Sequence, residues 1–282
     1  MIIVYILAAI LIFGVLIAVH EFGHFAAAKL CGVRVNEFSI GMGPLIWHKE
    51  TAETQYSLRL LPIGGFCAME GEDEESGDER SLGRQGFFKK AVIFAAGSFM
   101  NFLAGFLIIL AVYSGAAGFL IPAAAGTAPE FEQQNGQTLQ AGDIFYEING
   151  ERVYLYSDVS LLMSLHQGQP MDLVVLRDGE KVELNDITWG TYTGTEGETY
   201  QGYGIYIAGD QVEEANLWTL LKTSWLNTID FVRIVRLSLQ MLVTGQAGMD
   251  DLSGPVGIVS TITQVGTASE TFAAAVENIL YF

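Results

Sequence analysis

Basic side chains are scarce in this chain: fourteen Lys and Arg stand against thirty-two Asp and Glu, for a net charge of −18. The imbalance is sharpest between residues 123 and 217, where sixteen acids meet only Arg152, Arg177 and Lys181. That excludes nucleic acid, and an anionic lipid surface, as partners of the segment. Cysteine is almost absent. Cys31 and Cys67 are too few for a disulfide scaffold and too isolated for a zinc knuckle, so they read as small buried thiols in a reducing compartment. Charge of either sign is low as well, 16 % of residues against 50 % hydrophobic, a balance that suits membrane spans alternating with a water-exposed domain. No basic run precedes the first apolar stretch, which therefore reads as a retained span and not as a cleaved secretory signal.

What is present begins with that stretch. Ile2–Val19 is eighteen residues without a charge, close to the length at which a helix crosses the ~30 Å hydrocarbon layer of a bilayer. Ala91–Tyr113 supplies twenty-three more. Between them lie eight of the fourteen bases (Lys29, Arg34, Lys49, Arg59, Arg80, Arg84, Lys89 and Lys90), so this connection is expected in the cytoplasm and the acidic segment outside.

At the inner end of the first span stands His20-Glu21-Phe22-Gly23-His24, an H-E-x-x-H motif. With four His and twenty-one Glu in 282 residues, chance would produce it in roughly 0.4 % of such chains. On a helix, residues four apart share a face, so His20 and His24 can offer imidazole nitrogens to one metal ion, and Glu21 is placed to take a proton from an attacking water. Ionisable groups at membrane depth are functional candidates by default, because their dehydration must be offset by something.

The motif within an apolar span resembles the site-2 protease family, in particular its bacterial branch with an inserted PDZ domain. The resemblance implies a zinc-dependent intramembrane endopeptidase, with Zn2+ held by His20 and His24 and with Glu21 as general base. It extends along much of the chain. Gly41-Met42-Gly43-Pro44 and Leu61-Pro62-Ile63-Gly64-Gly65-Phe66 are similar to the family's membrane-dipping β-hairpin, and Tyr56–Leu61 alternates as a strand should. Gly97-Ser98-Phe99-Met100-Asn101 matches the family's G-x-x-x-N element, which implies that Asn101 faces the active site and holds the substrate or the developing oxyanion. Leu139–Gly150 looks like the core of a PDZ domain, with a turn at Gly142-Asp143, a strand over Ile144–Ile148 and a hairpin turn at Asn149-Gly150. Asp251–Val259 is similar to a loop between the family's later spans. The third zinc ligand in the family is the Asp of an L-D-G motif in a final span. No L-D-G triplet occurs in these residues, so the sequence reads as a truncated chain.

The expected fold is a multi-pass α-helical membrane protein with a membrane-associated β-hairpin and an inserted α+β PDZ-like extracytoplasmic domain. Its parts are residues 1–31, the first span with the motif; 32–90, the cytoplasmic hairpin and an acidic linker; 91–122, the second span; 123–210, the PDZ-like domain; 211–245, a third span; and 246–282, a loop and the start of an incomplete last span. Glu70–Arg80, with seven acids, reads as a solvated, mobile linker. In Trp218–Val243 the i,i+3 spacing of Asp230 and Arg233 allows a pair that would ease burial of both, although an interfacial amphipathic helix fits the same pattern. Expected partners are membrane-embedded helical protein substrates and the lipid bilayer, with no nucleic acid. A non-catalytic scaffold presenting the PDZ-like domain and a metal-binding transporter are the alternatives.

Overall fold

The computed structural model describes residues 2–194 and 197–245, with a few isolated positions between 257 and 268; Asp251–Val259 thus falls almost wholly outside the described residues. The chain divides into two compact units, one formed by Met1–Val112 with residues from Ser238 onward, the other by Tyr113–Leu237.

The first unit is built on two long helices. α1 (Ile2–Cys31) contains no proline, and Ala26–Ala28 carry the helix past the motif. It ends where Gly32 adopts φ +81° and Val33 N–H closes back onto the Ala28 carbonyl, a left-handed cap that a Cβ would disfavour. α2 spans Phe87–Tyr113. These two are the helices, among the described residues, long and apolar enough to cross a membrane. They touch at Gly23, where a Cβ would come within 2.4 Å of the Ala96 carbonyl oxygen. A small residue there lets the backbones approach closely.

Between them runs a hairpin, β1 (Val35–Glu50) and β2 (Gln55–Met69), which is more than two flat strands. Glu37–Ile40 face Gly65–Ala68 on one side and Gln55–Leu58 on the other. In the second set the numbers rise together, from Glu37 opposite Gln55 to Ile40 opposite Leu58, so those runs lie side by side in the same direction. The hairpin is folded over on itself at the bends carrying Gly41, Gly43 and Pro44 on β1 and Pro62 and Gly64 on β2. Its interior polar groups are paired: Arg59 donates to Glu37 at 2.8 Å and to Ser39 at 3.1 Å, while Ser57 donates to Glu37 at 2.5 Å. Its tip, by contrast, exposes Met42, Ile46, Trp47, Leu60 and Ile63. At its base Val33, Val35, Cys67 and Met69 are buried with Leu82, Ile93 and the Ala27–Ala28 turn of α1.

Glu70–Arg80 is not the free linker that its composition suggests. Glu70 accepts from Asn36 and Ser76, Asp78 accepts from Arg34 and from the Arg80 N–H, and Met69 N–H donates to Glu72. Backbone bonds from Arg34 to Arg80 and from Leu82 to Glu70 close the segment into a loop tied to the foot of the hairpin. Low hydrophobicity kept it at the surface; its own short-range carboxylate bonds ordered it.

In chain order the second unit comprises β3 (Gly118–Leu120), β4 (Ala124–Thr127), α3 (Phe131–Asn135), β5 (Ile144–Ile148), β6 (Glu151–Arg152), α4 (Tyr156–Leu165), β7 (Met171–Arg177) and β8 (Glu180–Ile187). β9 (Gly190–Thr193), β10 (Thr199–Gly202), β11 (Ile205–Ile207), β12 (Val212–Glu214) and α5 (Leu217–Thr244) follow. The main sheet has the order β6-β5-β7-β8, all antiparallel, and smaller pairs join β4 to β11, β3 to β12 and β9 to β10. In β7, Met171, Leu173 and Val175 alternate inward against Val159 and Leu162 of α4. Asn149 and Gly150, at φ +48° and +77°, form the primed turn that suits the twist of the strands on either side. Asp143 is almost fully buried. Burial by itself would raise its carboxyl, but Arg177 grips both oxygens at 2.9 and 2.6 Å and the Gln140 N–H adds a bond, so the net effect holds it below the usual carboxylate range.

Asp230 and Arg233 of α5 do pair, and a third residue joins them. Arg233 also meets Asp158 of α4 at 2.7 Å, and all three side chains are buried. The polar stripe of α5 thus packs on α4 in this part of the helix. Two carboxylates share one guanidinium, so Arg233→Met should leave facing buried charges and destabilise the unit by about 3–5 kcal/mol. Denaturant unfolding in detergent would measure it, and adding Asp230→Asn should recover part of the loss.

Candidate metal centre

The centre is assembled from α1 outward. His20 and His24, one turn apart, bring their Nε2 atoms to 3.2 Å from one another with the rings edge-on. Two nitrogens bound at about 2.0–2.1 Å to one tetrahedral ion would stand about 3.3 Å apart, so the pair has the separation zinc requires. The Nδ1 of His24 lies 2.7 Å from the Ile93 carbonyl of α2. A carbonyl can only accept, so Nδ1 carries the hydrogen and the Nε2 lone pair is left for a metal. On His20 the corresponding Nδ1 faces the Asn101 amide at 3.4 Å.

Across from both rings is Gly97. A Cβ built there would fall 2.5 Å from His24 Nε2 and 2.7 Å from His20 Nε2, which is the room an ion between those nitrogens would use. Ile93, Gly97 and Asn101 follow one another at four-residue intervals, so α2 presents a carbonyl, an opening and an amide along one face. Sequence reasoning singled out Asn101 and gave Gly97 only as the first residue of the same G-x-x-x-N element. It missed the Ile93 carbonyl, although the four-residue spacing back from Gly97 marks that position.

Glu21 points toward β2, its Cγ 3.4 Å from where a Cβ on Gly65 would lie. A cavity of about 220 Å³ opens beside it, lined by Glu21, His24, Cys67, Met69, Glu72 and Phe94. Cys67 is pushed up to about 12, first by burial and then by the Glu21 charge, so it stands in the cavity wall as a neutral thiol. Glu72, from the acidic loop, was not anticipated in this wall. The chain's other histidines sit apart from these contacts, His48 opposite Ser57 in the hairpin and His166 at the end of α4, bonded to the Leu162 carbonyl. Among the described residues no third Asp, Glu, His or Cys completes a ligand cluster with the pair.

Comparison with known proteins agrees with this chemistry. The family model described as peptidase family M50 matches residues 8–282. A Clostridium perfringens protein named as a candidate zinc metalloprotease is 35 % identical over 94 % of this chain and 76 % of its own length. A similarly named protein of Clostridium acetobutylicum is 32 % identical over 98 % of this chain and 78 % of its own. The regulator of sigma-W protease RasP of Bacillus subtilis is 25 % identical over 92 % of this chain and 80 % of its own. Motif, apolar helices and relatives together define a zinc metalloprotease of membranes. The chain belongs to peptidase family M50, the site-2 proteases.

Proposed function

We propose that this enzyme cleaves peptide bonds within membrane segments of single-pass proteins. The observation that carries the reading is the position of the imidazole pair: it directly follows eighteen uncharged residues of α1, on a helix whose outer surface is apolar. His20 and His24 would hold zinc, with the third ligand coming from outside the described residues. Zinc, when bound, supplies Lewis acidity toward a carbonyl oxygen and toward water. Glu21 takes the proton of the attacking water and passes it to the departing amine. The apolar tip of the folded hairpin enters the lipid, and β2, which runs past Glu21 at Gly65, offers the backbone edge along which an unwound substrate segment lies as an added strand.

The active site faces the cytoplasm, where the bases between α1 and α2 gather. The acidic second unit lies outside as a PDZ-like domain and excludes substrates whose external portions have not been trimmed. Anti-sigma factor anchors and remnant signal peptides are the substrates in keeping with this arrangement.

A helical substrate keeps its carbonyls in internal hydrogen bonds, so it must unwind before it is cut. Gly is about 1 kcal/mol less favourable than Ala in a helix interior, so replacing one Gly of a cleavable span by Ala should slow cleavage about fivefold. The assay is cleavage of the two spans by the purified enzyme in lipid vesicles. Equal rates for both, or cleavage of soluble peptides alone, would overturn the membrane-substrate reading.

A further inference from the structure

We propose that Asn101 is a positioning residue for His20: its side-chain carbonyl accepts the hydrogen on Nδ1 and so holds the ring with Nε2 toward zinc. This rests on the reading that His20 is a zinc ligand, and it assigns Asn101 a task different from gripping substrate.

As placed, the amide turns its NH2 to His20 Nδ1 at 3.4 Å, while its Oδ1 is buried and, among the described residues, has no hydrogen-bond partner. Oxygen and nitrogen of an amide have the same shape, and only the hydrogen-bond partners decide which is which. A neutral imidazole whose Nε2 lone pair is committed to a metal carries its hydrogen on Nδ1. An NH2 facing that N–H sets donor against donor. Half a turn of the amide replaces this with Nδ1–H donating to Oδ1, and the contact becomes a bond. As placed, the end of the amide away from His20 has no partner among the described residues, so nothing there favours that orientation.

The same helix supplies the precedent. His24 Nδ1 donates to the Ile93 carbonyl, eight residues before Asn101 on the same face of α2. One helix therefore holds both rings, through a main-chain oxygen for His24 and a side-chain oxygen for His20.

Zinc retention against a chelator separates this role from its rival. Full chain purified in detergent is titrated with a competing zinc chelator as parent, Asn101→Ala, Asn101→Asp and His20→Ala, each checked for parent-like helicity by circular dichroism. Outer partners of metal ligands typically contribute 10–100-fold to affinity, so Asn101→Ala should lose zinc within that range. Asn101→Asp, which can only accept, should stay close to the parent. A group that donates to substrate or oxyanion predicts the opposite: zinc held by Asn101→Ala as by the parent. That result, or an Asp variant as weak as the Ala variant, overturns the proposal. If His20→Ala itself keeps zinc at parent affinity, the metal-ligand reading fails, and the inference about Asn101 falls with it.

Discussion

Glu21→Gln should leave zinc bound and stop proteolysis. The amide is the same size as the carboxylate, keeps its place beside Gly65 and the 220 Å³ cavity, and leaves both imidazoles untouched. What it removes is the carboxylate, adjacent to His20 in the chain, that is proposed to accept the proton of the attacking water. Positioned general bases contribute about 10²–10⁴ in rate, and the variant should fall by that factor while its zinc content, read by atomic absorption, matches the parent. A variant that keeps its zinc and still cleaves a membrane-embedded substrate at the parental rate would remove Glu21 from the mechanism. Loss of both zinc and activity would instead make Glu21 part of the metal's own holding.

Gly97→Ala should disable the enzyme from the opposite wall. The added methyl would sit 2.5 Å from His24 Nε2 and 2.7 Å from His20 Nε2, far inside ordinary contact distance. Either α2 retreats from α1, which also withdraws the Ile93 carbonyl and Asn101, or the rings turn away from each other. A displacement near 1 Å at a reacting centre can cost about 10²-fold, and a decrease of that size is expected in cleavage, together with weaker zinc binding in chelator competition. Normal zinc affinity and activity in this variant would mean that the ion does not occupy the space between the imidazoles and α2. The change is smaller than any that charge or polarity scales would flag, which makes it a sharp test of the geometry.

The two variants mark where sequence reasoning reached and where it stopped. The H-E-x-x-H motif and the two uncharged runs were legible because their information is local: a four-residue period and a length. Asn101 stood out through the G-x-x-x-N element that resembles the family's. Gly97 carried no chemical label, and only the approach of α2 to α1 turns an absent side chain into room for an ion. The hairpin was readable from its Gly and Pro pattern, but its folding over, which gives Glu37–Ile40 two neighbouring strands, depends on pairings between residues far apart along the chain. Glu70–Arg80 misled because a run of acids normally repels itself into solvent, whereas here Asn36, Ser76, Arg34 and backbone N–H groups each take a carboxylate.

The buried cluster of Asp158, Asp230 and Arg233 makes the same point in the second unit. Asp230 and Arg233 are neighbours on one turn, and their pairing follows from spacing. Asp158 lies seventy-two positions earlier, and nothing local announces that it completes the cluster.

By itself the sequence determined the two apolar helices, the placing of His20, Glu21 and His24 together on the first of them, and the strand over Ile144–Ile148 with its turn at Asn149-Gly150. Those follow from side-chain period, from helix length and from the φ preferences of Gly and Asn. Tertiary structure alone decided which groups of α2 stand against each imidazole, where the hairpin doubles back and which buried charge meets which. Contacts of that kind depend on distances of a few ångströms between residues remote in the chain, and such distances are set by packing, where no periodic pattern records them.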